Sequence, residues 1–205
     1  MDLRYATGID RELIEFITRK TIEDIYPHYY ARGAVDFFLS HHSSERILED
    51  IQAQRVVLLY TDSQEAVGTV TIKNNEICRL FVLPQYQKNG YGKKLIEFAE
   101  EVISRQYDMI QLAASLPAKA IYLHRGYVEV ESHVIPTDNG DYLCYDVMQK
   151  PAMAPRYKIS YDGKCFVSSD NSKNGEVDGH TLFHYHQKGT MIWQSMREER
   201  SEKKH

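Results

Sequence analysis

The order of hydrophobic and polar residues predicts helices that alternate with strands. Apolar residues at helical spacing predict a first helix with Asp10 as its N-cap, and a second helix capped by Ser43 or Ser44. The aromatic-rich segment 21–40 between them shows no clear period, and we interpret Gly33 as a break within it. Mostly apolar runs predict strands over 55–61, 66–73, 76–83, 108–114, 127–134 and 142–148, with helices after residue 92 and over 117–124. This alternation, flanked by hairpins, indicates a mixed α/β sheet.

The composition of the chain changes after Lys150. We expect a main domain over 1–150, a linker over 151–155, a partial β appendage over 156–196 and a charged tail over 197–205. Short strands are predicted in the appendage at 157–161, 164–167, 181–186 and 191–193, too few to be stable alone. His184 and His186 share one face of such a strand, but no cysteine or carboxylate at ligand spacing completes a set, so we expect no metal.

Charge and cysteine content narrow the range of partners. The net charge of −4 favours neither nucleic acid nor an anionic membrane. No apolar run approaches the roughly 20 residues that span a bilayer, and the first residues lack the apolar core of a signal peptide. The three cysteines are scattered and form no CxxC pair, so a reducing cytoplasm is the expected compartment.

A short loop with two glycines carries the strongest chemical signal. An apolar strand ends at Pro84, the loop contains Gly90 and Gly92, and an amphipathic helix follows, an order that builds a phosphate cradle from backbone N–H groups. A dinucleotide loop would need a third glycine where Leu95 stands. A Walker A loop would need a hydroxyl residue at Lys94 and a glycine at Gln87. The pattern Q-x-x-G-x-G is met by residues 87–92.

Two segments together resemble a known family. Residues 80–84 followed by this loop, and later residues 114–127 with their helix, one tyrosine and a closing Gly126-Tyr127, resemble the GCN5-related N-acetyltransferases over about residues 1–150. The resemblance implies acetyl-CoA as cosubstrate and a mixed, mostly antiparallel sheet that splays between its fourth and fifth strands, flanked by helices. The C-terminal segment is similar to the start of small all-β bacterial proteins that are sometimes labelled acetylglutamate synthases.

The resemblance assigns residues to cofactor binding. It places the pantetheine arm along the backbone of Phe81, Val82 and Leu83. Glycines at 90 and 92 let the backbone approach the pyrophosphate, and the helix N-terminus adds partial positive charge. Ser115 either contacts coenzyme A or caps the following helix. The loop residues implied in pyrophosphate binding are Gln87, Lys88, Asn89, Gly90, Tyr91, Gly92 and Lys93, although the lysines are equally typical of a solvated helix start.

Acyl transfer to an amine requires two proton movements, because the ammonium must lose a proton and the departing thiolate gains one. Tyr122 occupies the general-acid position of the resembled family, with a packing tyrosine as the alternative. Glu76 is the best candidate for a base acting through water, and a merely solvated residue is the alternative. Cys78 is the only cysteine near this region and is expected to be a small buried hydrophobe, so we expect direct transfer in a ternary complex.

The sequence therefore predicts an acetyl-CoA-dependent N-acetyltransferase that acts on a primary amine of a small molecule or a protein, with a small-molecule or peptide amine as the expected substrate. No nucleic acid, membrane or metal is expected, and the resemblance allows a homodimer. The alternative from another class is a non-catalytic acetyl-CoA sensor whose appendage binds a partner. A sensor needs no general acid, so the tyrosine at position 122 favours the enzyme.

Overall fold

An open sheet of seven strands organises residues 1–152 in the computed structural model, which describes residues 1–152, 157–159 and 165–167. The strands lie in the order β1-β2-β3-β4-β5-β7-β6, and every neighbouring pair is antiparallel except β4 and β5. Their bounds are β1 Asp2–Tyr5, β2 Val56–Tyr60, β3 Ala66–Lys73, β4 Glu76–Val82, β5 Met109–Ser115, β6 Val128–Pro136 and β7 Tyr142–Pro151.

Helices cover both faces of this sheet. The apolar face of α4 packs over one cluster of buried strand residues, and α1, α2 and α3 pack over a second cluster on the opposite face. This arrangement follows from alternate strand residues pointing to opposite sides. The helices are α1 Arg11–Ile25, α2 Arg32–His41, α3 Ser44–Gln52, α4 Tyr91–Ser104 and α5 Leu116–His124, with single 3₁₀ turns at Gly8–Asp10, Tyr26–His28 and Pro84–Tyr86.

The central parallel pair is short. β4 and β5 pair only at Glu76 with Gln111 and at Ile77 with Leu112. On its other side β4 places Ile77 opposite Ile72 and Arg79 opposite Thr71, so one additional residue, Cys78, forms a β-bulge. Beyond this bulge β4 and β5 separate. The predicted splay between the fourth and fifth strands is confirmed.

The helix starts differ from expectation in two places. Asp10 stands at the N-cap position of α1, but its carboxylate accepts the Thr7 N–H at 2.8 Å and so closes the preceding 3₁₀ turn. Gly33 is not a break, because it lies in the first turn of α2. Its N–H donates to Asp141 Oδ2 at 2.9 Å, and a Cβ at this position would lie 1.9 Å from Asn139 Oδ1. The glycine therefore lets the β6–β7 turn pack on the start of α2. Ser43, of the two serines considered, is the residue that caps α3.

At both ends of residues 1–152 the sheet includes residues that were not predicted to lie in strands. The sequence pattern did not reveal β1, a short edge strand whose residues are mostly exposed. β7 continues to Pro151, so the first residue of the predicted linker belongs to the sheet. Within the described residues no helix is long and apolar enough to cross a membrane.

The contacts divide the chain after Met153 into two units. In the second unit, β8 (Tyr157–Ile159) pairs antiparallel with β9 (Cys165–Val167), within the predicted strands 157–161 and 164–167. The strands predicted at 181–186 and 191–193, His184 and His186, and the tail 197–205 lie outside the described residues.

Gly68 on β3 offers a test of how closely the sheet packs on α4. A Cβ at this position would lie 2.9 Å from both Leu95 Cδ1 and the Phe81 carbonyl oxygen. We expect Gly68→Ala to lower the free energy of unfolding by about 1–3 kcal/mol, because the backbone must shift to admit the methyl group. Gly8→Ala is the control, since a Cβ there meets nothing within 4 Å. Equal urea midpoints for the two variants would contradict this packing.

Candidate active site

The hydrogen-bond register of β4 decides which backbone groups face the gap beside β5. Leu83 N–H donates to Val67 O at 2.9 Å across the β3–β4 pair. Hydrogen bonding alternates along an antiparallel pair, so Phe81 also bonds to β3 while the N–H groups of Leu80 and Val82 point toward the gap. Of the three residues predicted to line the pantetheine arm, Val82 therefore presents its backbone to the gap. Phe81 and Leu83 instead place their side chains in the cluster under α1, α2 and α3.

The carbonyl group of Val82 accepts a hydrogen bond from Gln87 Nε2 at 3.0 Å. Thr21 Oγ1 lies 3.2 Å from the same oxygen, but its single proton has a closer acceptor in Ile17 O at 2.7 Å. The side chain of Gln87 thus holds the loop to the end of β4. This hydrogen bond fixes the position of the loop relative to β4.

The loop before α4 adopts left-handed backbone at two positions, with φ of +64° at Lys88 and +84° at Gly90. The Asn89 side chain donates to the carbonyl groups of Tyr86 at 3.4 Å and Gln87 at 3.2 Å, which holds the turn in place. Gly90 is the N-cap of α4, and at this conformation a side chain would be strained.

The start of α4 offers an anion-binding surface. The first helical bond across the cap runs from Lys94 N–H to Gly90 O at 3.0 Å, so the N–H groups of Tyr91, Gly92 and Lys93 lie at the helix N-terminus without intrahelical partners. A Cβ on Gly92 would meet only Val82 Cγ2 at 3.9 Å, and one on Gly90 nothing within 4 Å. Lys88 and Lys93 are exposed beside this open space. The backbone donors, the space and the positive helix end fit a pyrophosphate.

Tyr122 is a buried residue of α5. Its ring packs edge-on against Tyr127 with centroids 5.6 Å apart, and 8% of the residue is exposed. Burial, followed by the nearby Tyr26 hydroxyl, raises the pKa of Tyr122. The phenol therefore keeps its proton at neutral pH, as a proton donor must.

Two tyrosines that the sequence left without a role connect the helical face to the β5–α5 junction. Tyr26 Oη lies 3.2 Å from Ser115 Oγ. Tyr30 Oη accepts the Leu116 N–H at 2.7 Å and donates to Cys144 O at 3.0 Å. Ser115 occupies the N-cap position of α5 but makes no side-chain cap, because the Tyr30 hydroxyl satisfies the helix start instead. The dense tyrosines of segment 21–40 were the sequence signal for this connection.

Glu76, the candidate base, is the first residue of β4 and is half-buried. It pairs with Gln111 at the closed end of the β4–β5 pair. Its neighbour Ile77 faces the α4 cluster, so the Glu76 side chain lies on the opposite face, with α1, α2 and α3. Glu76 therefore lies in the paired part of β4, before the gap opens.

A charged cluster on the same face was not predicted. Arg79 Nη1 donates to Thr71 Oγ1 at 2.9 Å and to Asp50 Oδ2 at 3.3 Å, and Arg79 Nε donates to His42 Nδ1 at 3.4 Å. Burial, together with the positive charge of Arg79, lowers the pKa of His42 to about 3. Sequence spacing gives no sign of this cluster, because its members come from β3, β4, α3 and the residue after α2.

The hydroxyl of Tyr30 can be tested for its contribution to the junction. We expect Tyr30→Phe to lower the free energy of unfolding by about 1–3 kcal/mol, because the Leu116 N–H and Cys144 carbonyl lose their partner. Tyr29→Phe, at a residue that is 54% exposed, is the matched control. Denaturant unfolding measures both, and equal stabilities would show that the junction does not depend on this hydroxyl.

Comparisons with known proteins agree with this geometry. A family model described as an acetyltransferase (GNAT) domain matches residues 25–138, and an avidin-like family model matches residues 159–197, in keeping with a small β segment there. No curated protein sequence matches the chain.

Solved structures with the same fold match this chain over nearly the whole of their own length. A GCN5-related N-acetyltransferase from Rhodopseudomonas palustris is 22% identical, with a TM-score of 0.67, and the match covers 73% of this chain and 94% of that one. The PaiA N-acetyltransferase from Thermoplasma acidophilum, solved with coenzyme A, is 21% identical, with a TM-score of 0.56 and coverage of 73% and 98%. These identities establish the fold, and the domain match covers more than half of the chain. The chain belongs to the GNAT family of acetyltransferases.

Proposed function

We propose that this protein transfers the acetyl group of acetyl-CoA to a primary amine of a small molecule or protein. One observation supports the proposal most: the gap between β4 and β5 has the N–H groups of Leu80 and Val82 along one wall and the N-terminus of α4 at its end. A thioester with a long polar arm and a pyrophosphate matches this sequence of donors. The CoA complex of the Thermoplasma acidophilum relative is in keeping with the same cosubstrate.

In this proposal the chain binds acetyl-CoA mainly through its backbone. The N–H groups of Tyr91, Gly92 and Lys93 take the pyrophosphate, and those of Leu80 and Val82 bond the pantetheine arm. Acetyl-CoA supplies an activated acyl group. A β4 N–H directed at the thioester carbonyl stabilises the negative charge that develops on its oxygen.

Two proton movements complete the transfer. The substrate ammonium first loses one proton, and the neutral amine attacks the thioester carbon to form the C–N bond. As the C–S bond breaks, the nitrogen loses its second proton, which replaces the proton that the phenol gives to the departing sulfur. Glu76 is the proposed acceptor of the amine proton, through water, and Tyr122 donates its proton to the departing sulfur. The raised pKa of Tyr122 keeps that proton available at neutral and mildly alkaline pH.

Cys78 supports direct transfer rather than an acetylated enzyme. Burial, followed by the charge of Glu76, raises the pKa of the Cys78 thiol to about 11. A thiol in this state supplies almost no thiolate near pH 7, and the thiolate is the nucleophilic form. The amine itself is therefore the proposed nucleophile.

The role of Tyr122 distinguishes an enzyme from an acetyl-CoA sensor. We expect Tyr122→Phe to lower kcat by about 10²–10⁴-fold, because the leaving thiolate loses its proton donor. Binding of acetyl-CoA, measured by calorimetry, should stay near the wild-type value. Turnover is followed as thiol release against polyamines, amino acids, aminoglycosides and short peptides.

Tyr127→Phe is the control for this measurement. The Tyr127 hydroxyl is buried and has no hydrogen-bond partner among the described residues, and its ring contacts Tyr122. Its removal should leave kcat within about twofold of wild type. Tight acetyl-CoA binding without thiol release from any amine would contradict the enzyme and favour the sensor.

A further inference from the structure

A buried arginine takes no part in the steps proposed above. Arg79 is 5% exposed, and its Nε and Nη1 atoms have the partners His42, Thr71 and Asp50. Among the described residues no acceptor hydrogen-bonds its Nη2 atom, and that nitrogen is not sealed from solvent. Guanidinium groups at such depth normally use their donors, so Arg79 retains capacity for one further anionic group.

The charge around Arg79 is unbalanced. Asp50, which is 2% exposed, is the carboxylate shared by Arg79 at 3.3 Å, Lys73 at 2.8 Å and Arg55 at 3.7 Å. Within the described part of the chain no other carboxylate lies within 4.0 Å of these three cations. Arg46 adds positive charge from α3, and Glu76 adds one negative charge from β4. The net charge of this cluster is positive.

Arg79 lies close to the point where the gap between β4 and β5 opens. Arg79 is the first β4 residue after the bulge at Cys78, where β4 and β5 begin to separate. Its side chain lies on the face covered by α1, α2 and α3, the face that also holds Phe81. His42 joins the two, since its ring packs 5.4 Å from that of Phe81. The next residue, Leu80, directs its N–H into the gap. Arg79 therefore lies directly before a gap-facing N–H group of β4.

We infer that the amine acceptor carries a carboxylate, and that Arg79 selects it by donating from Nη2 to a carboxylate oxygen. The substrate class is then amino acids or related amino carboxylates, with the aromatic side chains of Tyr26, Phe38 and Phe81 forming the apolar wall beside them. This inference rests on the proposed N-acetyltransferase function and specifies its acceptor.

The test compares acceptors that differ only by a carboxylate. Phenylalanine and phenethylamine, lysine and cadaverine, and histidine and histamine are assayed by thiol release at saturating acetyl-CoA. In at least one pair the wild-type protein should favour the amino acid by about tenfold or more in kcat/KM, the size expected for a charge-assisted hydrogen bond. Arg79→Gln should raise KM for that amino acid by a similar factor and leave KM for the matching amine and for acetyl-CoA within about twofold.

Arg55→Gln is the matched control. It removes the same charge from beside Asp50, but at a half-exposed side chain, and should keep the preference for the amino acid. Asp50 stays paired with Lys73 in both variants. If Arg79→Gln does not fold, Arg79→Lys replaces it, because it retains the charge near Asp50 but loses the Nη2 donor and must weaken the preference.

The possible results distinguish failure of this inference from failure of the proposed acetyltransferase function. Equal or greater kcat/KM for the decarboxylated amine in all three pairs overturns the carboxylate inference and leaves the acetyltransferase function intact. A preference that survives unchanged in Arg79→Gln overturns the assignment to Arg79. If acetyl-CoA binds but no thiol is released with any amine of either kind, both the proposed function and this inference are overturned.

Discussion

The separation of β4 from β5 beyond Ile77 and Leu112 sets the position of every other part of the site. Pairing between β4 and β5 stops after two residues, at the point where Cys78 bulges against β3, so the next N–H groups on that side of β4 have no strand to bond. Backbone donors left without partners are costly unless water or a ligand satisfies them. The same gap leads to the N-terminus of α4, where further N–H groups are free. A polar, elongated cosubstrate is what such an arrangement can hold.

The two helix-covered faces of the sheet contribute different side chains to the region around this gap. On one face α4 and α5 bury Tyr122 among apolar side chains, which keeps its phenol protonated. On the other face Tyr26 and Tyr30 bond across to Ser115 and Leu116, so the helical layer is tied to the end of β5. In the proposed reaction the groups that bind the cosubstrate therefore come mostly from the backbone, while acceptor recognition and proton transfer are assigned to side chains.

Local sequence patterns predicted most of the elements and the loop, but neither β1 and α2 nor the long-range geometry. The pattern of apolar residues placed β2 to β5 and α4 nearly correctly, because burial and period determine them. Gly90 was predicted from its motif, and its left-handed φ of +84° agrees with that role. Register was not predictable: which of Leu80, Phe81 and Val82 faces the gap depends on pairing with β3. Gly33 and Arg79 were missed for the same reason, since their partners are distant in sequence.

The most direct measurement is the amide NMR spectrum of β4 during titration with acetyl-CoA, read together with hydrogen exchange. The N–H resonances of Leu80 and Val82 should shift and become protected from exchange, along with those of Tyr91, Gly92 and Lys93. Phe81 and Leu83, already bonded to β3, should be protected before and after. Saturable binding that leaves Leu80 and Val82 unchanged, or that instead perturbs Phe81 and Leu83, would contradict the placement of the cosubstrate in this gap.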